Sequence, residues 1–196
     1  LDLRREAAAT GGRAWCADVT DDADVWDVLD RLGEALGGPP DLVVNAAGVF
    51  DVAPLVETSV ATFDRNLDVN LRGTFLVVRA LLPAMLRRGS GHVVNVGSVA
   101  GRKAFPGNAA YSASKWGLRG LHSVLLEELR GTGVRATLIE PAATDTSIWD
   151  PLDPDGREDL PGRGDMLRPE DVADAVLFAV TRPEGVQLPW LPVERA

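Results

Sequence analysis

Short apolar runs alternate with longer amphipathic segments along this 196-residue chain, and no other feature limits its fold as much. Residues 41–45, 92–98 and 134–140 read as strands buried on both faces, the last stopped by Pro141. A weaker fourth run spans Arg13 to Asp18. Between the runs, residues 22–36 carry Val25, Leu29, Leu32 and Leu36 at helical spacing, with Asp21 and Asp22 as caps and a Gly-Gly-Pro-Pro stop. Residues 60–88 carry Phe63, Leu67, Leu71, Phe75, Val78, Leu82 and Met85 in the same manner. Residues 109–130 and 170–181 complete the set, the last opening near Pro169. Strand alternating with helix predicts a parallel sheet with helices on both faces, the doubly wound, Rossmann-like α/β class. No linker, repeat or low-complexity tract breaks the pattern, so residues 1–196 read as one domain. Ligands of such sheets sit at the carboxyl ends of the strands. Asp18, Asn45-Ala46-Ala47-Gly48, Ser98 and Pro141-Ala142 all follow apolar runs, and are the residues to consider first.

Charge narrows the partners. Acidic residues outnumber basic ones 29 to 20, giving a formal charge of -9. A chain with that balance and no Lys/Arg block does not suit nucleic acid phosphates or an anionic membrane surface. No run reaches the ~18 consecutive apolar residues of a membrane span. One cysteine, Cys16, and two distant histidines, His92 and His122, provide no basis for a metal site. The N-terminus lacks the apolar core of a signal peptide. A cytoplasmic location is expected.

Tyr111-Ser-Ala-Ser-Lys115 is the strongest local signal, because residues i and i+4 share one helix face. A phenol titrates near ~10, so bringing it to neutrality takes about 4 kcal/mol at ~1.4 kcal/mol per unit. An ammonium about 4 Å away supplies roughly that at a surface-like effective dielectric. Lys115 is therefore expected to make Tyr111 a usable general acid or base. Taken alone, such a pair is common on helix surfaces. Ala109, Ala110, Ala113, Ser114 and Gly117 are small, which lets this helix press against a strand or a ligand, although ordinary tight packing explains them equally well. Ser98 closes the second strand run, where a hydroxyl can stabilise charge on a carbonyl oxygen. A lone serine there is more often a turn residue. The local string Val96-Gly-Ser-Val-Ala100 has no Gly-x-Ser-x-Gly elbow, which argues against a hydrolase.

Taken together, these residues resemble the classical short-chain dehydrogenases/reductases, from about Asp18 to about residue 181. Asn45-Ala-Ala-Gly48 resembles the family's Asn-Asn-Ala-Gly motif, which shapes the coenzyme wall. Asp18 resembles the aspartate that contacts adenine. Asn70, Ser98, Tyr111 and Lys115 match the catalytic tetrad, with Ser98 thirteen residues before Tyr111. Pro141-Ala-Ala-Thr-Asp-Thr146 resembles the Pro-Gly stretch and downstream Thr, implicating Pro141, Ala142, Thr144 and Thr146 at the nicotinamide amide. The resemblance implies an NAD(P)-dependent oxidoreductase acting on a small alcohol or carbonyl compound. Tyr111 would exchange the proton and Ser98 would orient the substrate. Lys115 would depress the Tyr111 pKa and hold the ribose. Asn70 would interrupt its helix and hold a water leading to Lys115. The hydride chemistry belongs to the cofactor.

The sequence departs from the family at its start. No Gly-x-x-x-Gly-x-Gly string precedes Asp18, and Gly11-Gly12 does not replace it. A strand-helix-strand unit of roughly 30 residues would restore the family's size. Either the sequence is part of a longer chain, which the intact tetrad favours, or it is a truncation that holds a dinucleotide poorly. The interval from Asp2 to Asp18 is also short. Ala46, Ala142 and Gly97 replace a usual Asn, Gly and Ser. Asp2 is read as the acidic residue that accepts the adenosine ribose and repels a 2′-phosphate, giving a lean to NAD over NADP. Arg4 and Arg5 are placed to pair with that phosphate instead.

Residues 147–167 are rich in Asp, Gly and Pro, and in this family form a flap over the substrate. Trp149, Leu152 and Met166 are candidate contacts there, Trp149 foremost. A surface loop is the plain alternative, and Trp190 is a candidate subunit contact. The wide apolar faces of 60–88 and 109–130 match the helices that pair copies of family members, so a homodimer or homotetramer is expected. Competing readings are a β-ketoacyl thioester reductase, a non-catalytic dinucleotide sensor or scaffold, and a cofactor-free interaction protein.

Overall fold

The computed structural model describes residues 10–196. Asp2, Arg4 and Arg5 lie outside the described residues. Helix α1 (Asp22–Leu36) starts where the Asp21 carboxylate accepts from the Ala23 and Asp24 amides, and stops at Gly37 in the left-handed region, φ 74°. Strand β1 is Leu42–Asn45. Helix α2 (Val60–Leu67) is capped by Ser59 and runs through a π-helical segment, Asp68–Gly73, into α3 (Thr74–Arg88). Strand β2 (Gly91–Val96), helix α4 (Ala109–Glu128), strand β3 (Val134–Pro141), helix α5 (Pro169–Val180) and strand β4 (Trp190–Val193) follow.

Among the described residues, four strands form one parallel sheet in the order β1-β2-β3-β4. Alternate residues feed different cores, as a pleat requires. Val93, Val134 and Ala136 face α3 and α4, where Val78, Leu81, Met85, Leu125 and Leu129 close one core. Val94 and Ile139 face the opposite way and pack with Ala179, Val172 and Val176 of α5. The sheet is thus covered on both faces, as expected. By length and composition alone the run Val60–Arg88 would suffice to cross a membrane. In the fold its buried residues Leu76, Val78, Leu81 and Met85 are core instead.

Two readings of the sequence change. Arg13–Asp18 forms no strand and pairs with none of the described strands. Strand β4, not expected from the sequence, contains Pro192 and follows Pro189. Proline is tolerated because β4 is the outer strand beside β3. Trp190 therefore sits in the sheet, with its ring 5.1 Å from that of His122.

Candidate active site

The carboxyl ends of the parallel strands gather the candidate residues. Asn45 ends β1 and passes into Ala46, Ala47 and Gly48. Ser98 follows β2, and Pro141 ends β3, followed by Ala142, Thr144 and Thr146. β1 and β3 end within a residue of their apolar runs and β2 ends at Val96, two residues before Ser98, so the sequence aims three turns at one edge of the sheet.

Helix α4 supplies the central pair. Its buried stripe contains Ser114, Lys115, Leu118, His122 and Leu125, at helical spacing from Tyr111. The Ser98 hydroxyl lies close enough to the Tyr111 phenol to act on its titration. Ser98 Oγ also accepts from the Ala100 amide at 3.1 Å, which fixes the start of the Val99–Gly101 turn. That turn lies directly on α4: a Cβ at Gly101 would stand 2.8 Å from the Lys115 carbonyl oxygen. Lys115 is 6% exposed, and its Nζ donates to the Val96 carbonyl at 3.0 Å. The same Nζ stands 5.6 Å from the centroid of the phenol ring.

The electrostatics differ in sign from the expectation. Burial raises the Tyr111 phenol above its usual value, and the neighbouring Ser98 hydroxyl works against that rise. Burial also lowers Lys115, to about 8. The ammonium does not overcome the loss of water around the phenol. The expected pull toward neutrality assumed a surface-like dielectric and an approach to about 4 Å.

Asn70 sits within the π-helical segment, which is the helix interruption expected of it. It is 1% exposed. Its Nδ2 donates to the Val49 carbonyl at 3.0 Å and to Ser114 Oγ at 2.9 Å, while its Oδ1 accepts the Val49 amide at 2.8 Å. Ser114 Oγ in turn donates to the Tyr111 carbonyl at 2.7 Å. Asn70 thus fastens the segment after Gly48 to the helix that carries Tyr111. Asp18 stands at the entry to α1, exposed, with Oδ1 accepting from the Thr20 amide and hydroxyl; these bonds hold its carboxyl below the usual range. Arg72 of the π segment holds that turn through the Thr20 carbonyl at 2.6 Å.

The expected flap is folded into three 3₁₀ turns. Its ends are tied by the Leu167 amide to Ala143 and the Asp145 amide to Leu167, at 2.8 Å each, and by Arg163 to Asp145 and Asp150. Trp149 and Met166 are buried and Leu152 is half-buried. Trp149 meets Phe50 at 4.8 Å, and Phe50 meets Tyr111 at 4.7 Å, both edge to face. Phe50 escaped the sequence reading, although its place directly after Gly48-Val49 was a usable signal.

Residues of several kinds follow the strand ends or lie on α4: two hydroxyls, an ammonium, backbone at Gly48 and threonines after β3. That donor set fits a ribose, a carboxamide and a carbonyl oxygen, as a nicotinamide dinucleotide and its substrate present them. Comparison with known proteins agrees. The model of the short chain dehydrogenase family matches residues 3–156. An uncharacterized oxidoreductase of Staphylococcus aureus is 35% identical over 171 residues, covering 87% of this chain and 71% of the relative. The crystal structure of serine dehydrogenase from Escherichia coli superposes with a TM-score of 0.82 at 30% identity, covering 98% of this chain and 81% of that one. A metagenomic short-chain oxidoreductase solved in complex with NADP gives 0.79 at 31%, covering 99% and 79%. The chain belongs to the short-chain dehydrogenase/reductase family and is an oxidoreductase of that class.

Proposed function

We propose that the chain interconverts small alcohols and carbonyl compounds with NAD or NADP, Tyr111 exchanging the proton. The dinucleotide, when bound, supplies or accepts the hydride at its nicotinamide ring. Asn45 to Gly48, Pro141, Ala142, Thr144 and Thr146 would hold the nicotinamide half, Asp18 would meet the adenine, and Lys115 would hold the ribose. The NADP in the metagenomic relative supports a dinucleotide here. Asp2, if it stands at the ribose, favours NAD.

The observation that carries the reading is Ser98 beside the Tyr111 phenol of α4, with Lys115 Nζ 5.6 Å from the ring centroid. A carbonyl oxygen placed between the two hydroxyls accepts from both. Ser98 holds it, and Tyr111 releases its proton to it as the carbonyl carbon is reduced. The raised phenol pKa keeps that proton on Tyr111 at neutral pH, which suits the reductive direction. In oxidation the same oxygen must first lose its proton, so that direction gains at alkaline pH. Trp149 and Phe50 wall the phenol and bound the substrate. The exposed Phe75 and Leu86 of α3, with Trp116 and Val124 of α4, are the faces on which a second copy would pack. A cytoplasmic location fits the single, unpaired Cys16.

The test is oxidation of NADPH or NADH with a panel of aldehydes and ketones, followed by the absorbance of reduced nicotinamide. Tyr111→Phe is expected to lose about 10² to 10⁴ of the rate. Turnover equal to that of the parent would refute the proton-transfer role.

A further inference from the structure

An ion cluster built around one buried carboxylate lies beside the site and takes no part in the roles above. Glu140, the next-to-last residue of β3, is 1% exposed. Arg119 of α4 pairs with its Oε1, and Arg102 Nε stands 3.8 Å from its Oε2. Arg102 also pairs with Glu194, just beyond β4. The Arg119 guanidinium stacks over Trp190 of β4, 4.5 Å from the ring centroid. Two cations and two anions leave the cluster neutral.

Its members are spaced along the chain in a telling way. Arg102 comes four residues after Ser98, at the end of the turn that Ser98 begins. Arg119 comes one helical turn after Lys115 and two after Tyr111. Glu140 directly precedes Pro141. One carboxylate therefore joins the three segments that bear the hydroxyl, the phenol and ammonium, and the turn expected at the nicotinamide. A buried carboxylate is costly unless paired, and here two guanidiniums from separate segments pair it. Arg102, at the end of the Ser98 turn, and Arg119, on α4, thereby meet on one carboxylate.

We infer that Glu140 is a positioning residue for the oxidoreductase reaction: with Arg102 and Arg119 it locks the Ser98 turn against α4, holding the Ser98 hydroxyl in reactive register beside Tyr111. This rests on the proton-transfer reading above. Touching neither substrate nor cofactor, it acts through Ser98 and Tyr111.

Tyr111 is the sole tyrosine of the chain, so tyrosinate absorbance reports its ionisation without turnover. Charge alone and position predict opposite signs. Removing a buried negative charge eases phenolate formation, moving the titration of Glu140→Gln to lower pH. Moving Ser98 away takes from Tyr111 the hydroxyl that lowers it, shifting the titration to higher pH. The expected result for Glu140→Gln is an upward shift, with kcat reduced about 10- to 100-fold and cofactor affinity within about threefold of the parent. Glu194→Gln, on an exposed carboxylate, repeats the sign test if Glu140→Gln does not fold. An unmoved or lowered titration with kcat intact, whatever the melting temperature, overturns the inference. Tyr111→Phe serves as control: its full activity would sink the proton-transfer reading itself, whereas an inactive Tyr111→Phe beside fully active cluster variants would sink only the positioning role.

Discussion

Acid should weaken this fold well before its carboxylates titrate, and the cause is two buried histidines. His122 is fully buried on α4. Its Nε2 stands 3.1 Å from the Pro189 carbonyl, and its Nδ1 stands 3.3 Å from Asn95 Nδ2. A carbonyl only accepts and an amide nitrogen only donates. The ring must therefore carry its proton on Nε2 and offer a lone pair at Nδ1. Asn95 Oδ1 then accepts from Asn45 Nδ2 at 2.8 Å, so the chain of bonds ends on the coenzyme-wall motif. A proton on Nδ1 would face a donor. Burial, aided by Arg119 and opposed by the Pro189 bond, lowers this imidazole to about 4. His92, 5% exposed and bonded to Thr137 Oγ1 at 2.8 Å, is lowered to about 4 by burial and by Arg135. In the unfolded chain both titrate near ~6.5. The unfolded state thus takes up protons first, and stability falls as pH drops from ~6.5 through ~4. At pH 5 each ring costs about 2 kcal/mol relative to pH 8, and about 3 kcal/mol once both states are protonated. Urea denaturation at pH 8, 7, 6 and 5 measures this. His122→Gln keeps an acceptor for Asn95 and a donor for Pro189, and should remove about half of the slope. An equal slope in parent and variant, or a His122 NMR titration near the unperturbed value, would refute the reasoning.

Three further outcomes follow from the site. Lys115→Met should abolish turnover yet raise stability, because the depressed Lys115 disfavours folding wherever the unfolded lysine is charged. The cost is complete below its folded pKa of about 8 and fades toward ~10.5, so thermal melting at pH 7 should rise by a few degrees; a fall would contradict it. Gly101→Ala places a methyl 2.8 Å from the Lys115 carbonyl and must shift the Ser98 turn. Its kcat should drop about tenfold or more at saturating cofactor. Trp116→Glu, on the exposed stripe of α4 that also holds Gly120 and Val124, should reduce the mass seen by solution scattering to that of a monomer. A parent that is already monomeric would end the pairing proposal.

The fold was largely readable because its strongest signals are local. Helix α1 begins and ends where Asp21, Asp22 and Gly37 indicate, and β3 ends at Pro141 as read. Strand β4 was hidden because Pro189 and Pro192 carry a turn signal that only the shelter of an edge position overrides. Asn70, Ser98, Tyr111 and Lys115 drew attention through their order and spacing, and they lie on or beside α4. What escaped were long-range pairings without spacing rules: Phe50 against Tyr111, Asn95 against His122, and Glu140 between Arg119 and Arg102. The sign of the Tyr111 shift was hidden for the same reason. An i,i+4 spacing places the ammonium near the ring, but burial depends on everything else packed around it.

That sign bears on what the site does best. Two opposing effects act on one phenol: loss of water raises it, and the Ser98 hydroxyl lowers it. Burial also makes the Lys115 charge costly, so further burial of the pair would weaken the cation meant to assist the phenolate. A buried pair therefore favours the protonated phenol, which is the form that gives a proton to a nascent alkoxide. On the proposed reading, carbonyl reduction at neutral pH should be nearly flat with pH, while alcohol oxidation should climb into the alkaline range. Measured with one substrate pair in both directions, the two profiles should diverge above neutrality. Parallel profiles would mean that a group other than Tyr111 carries the proton.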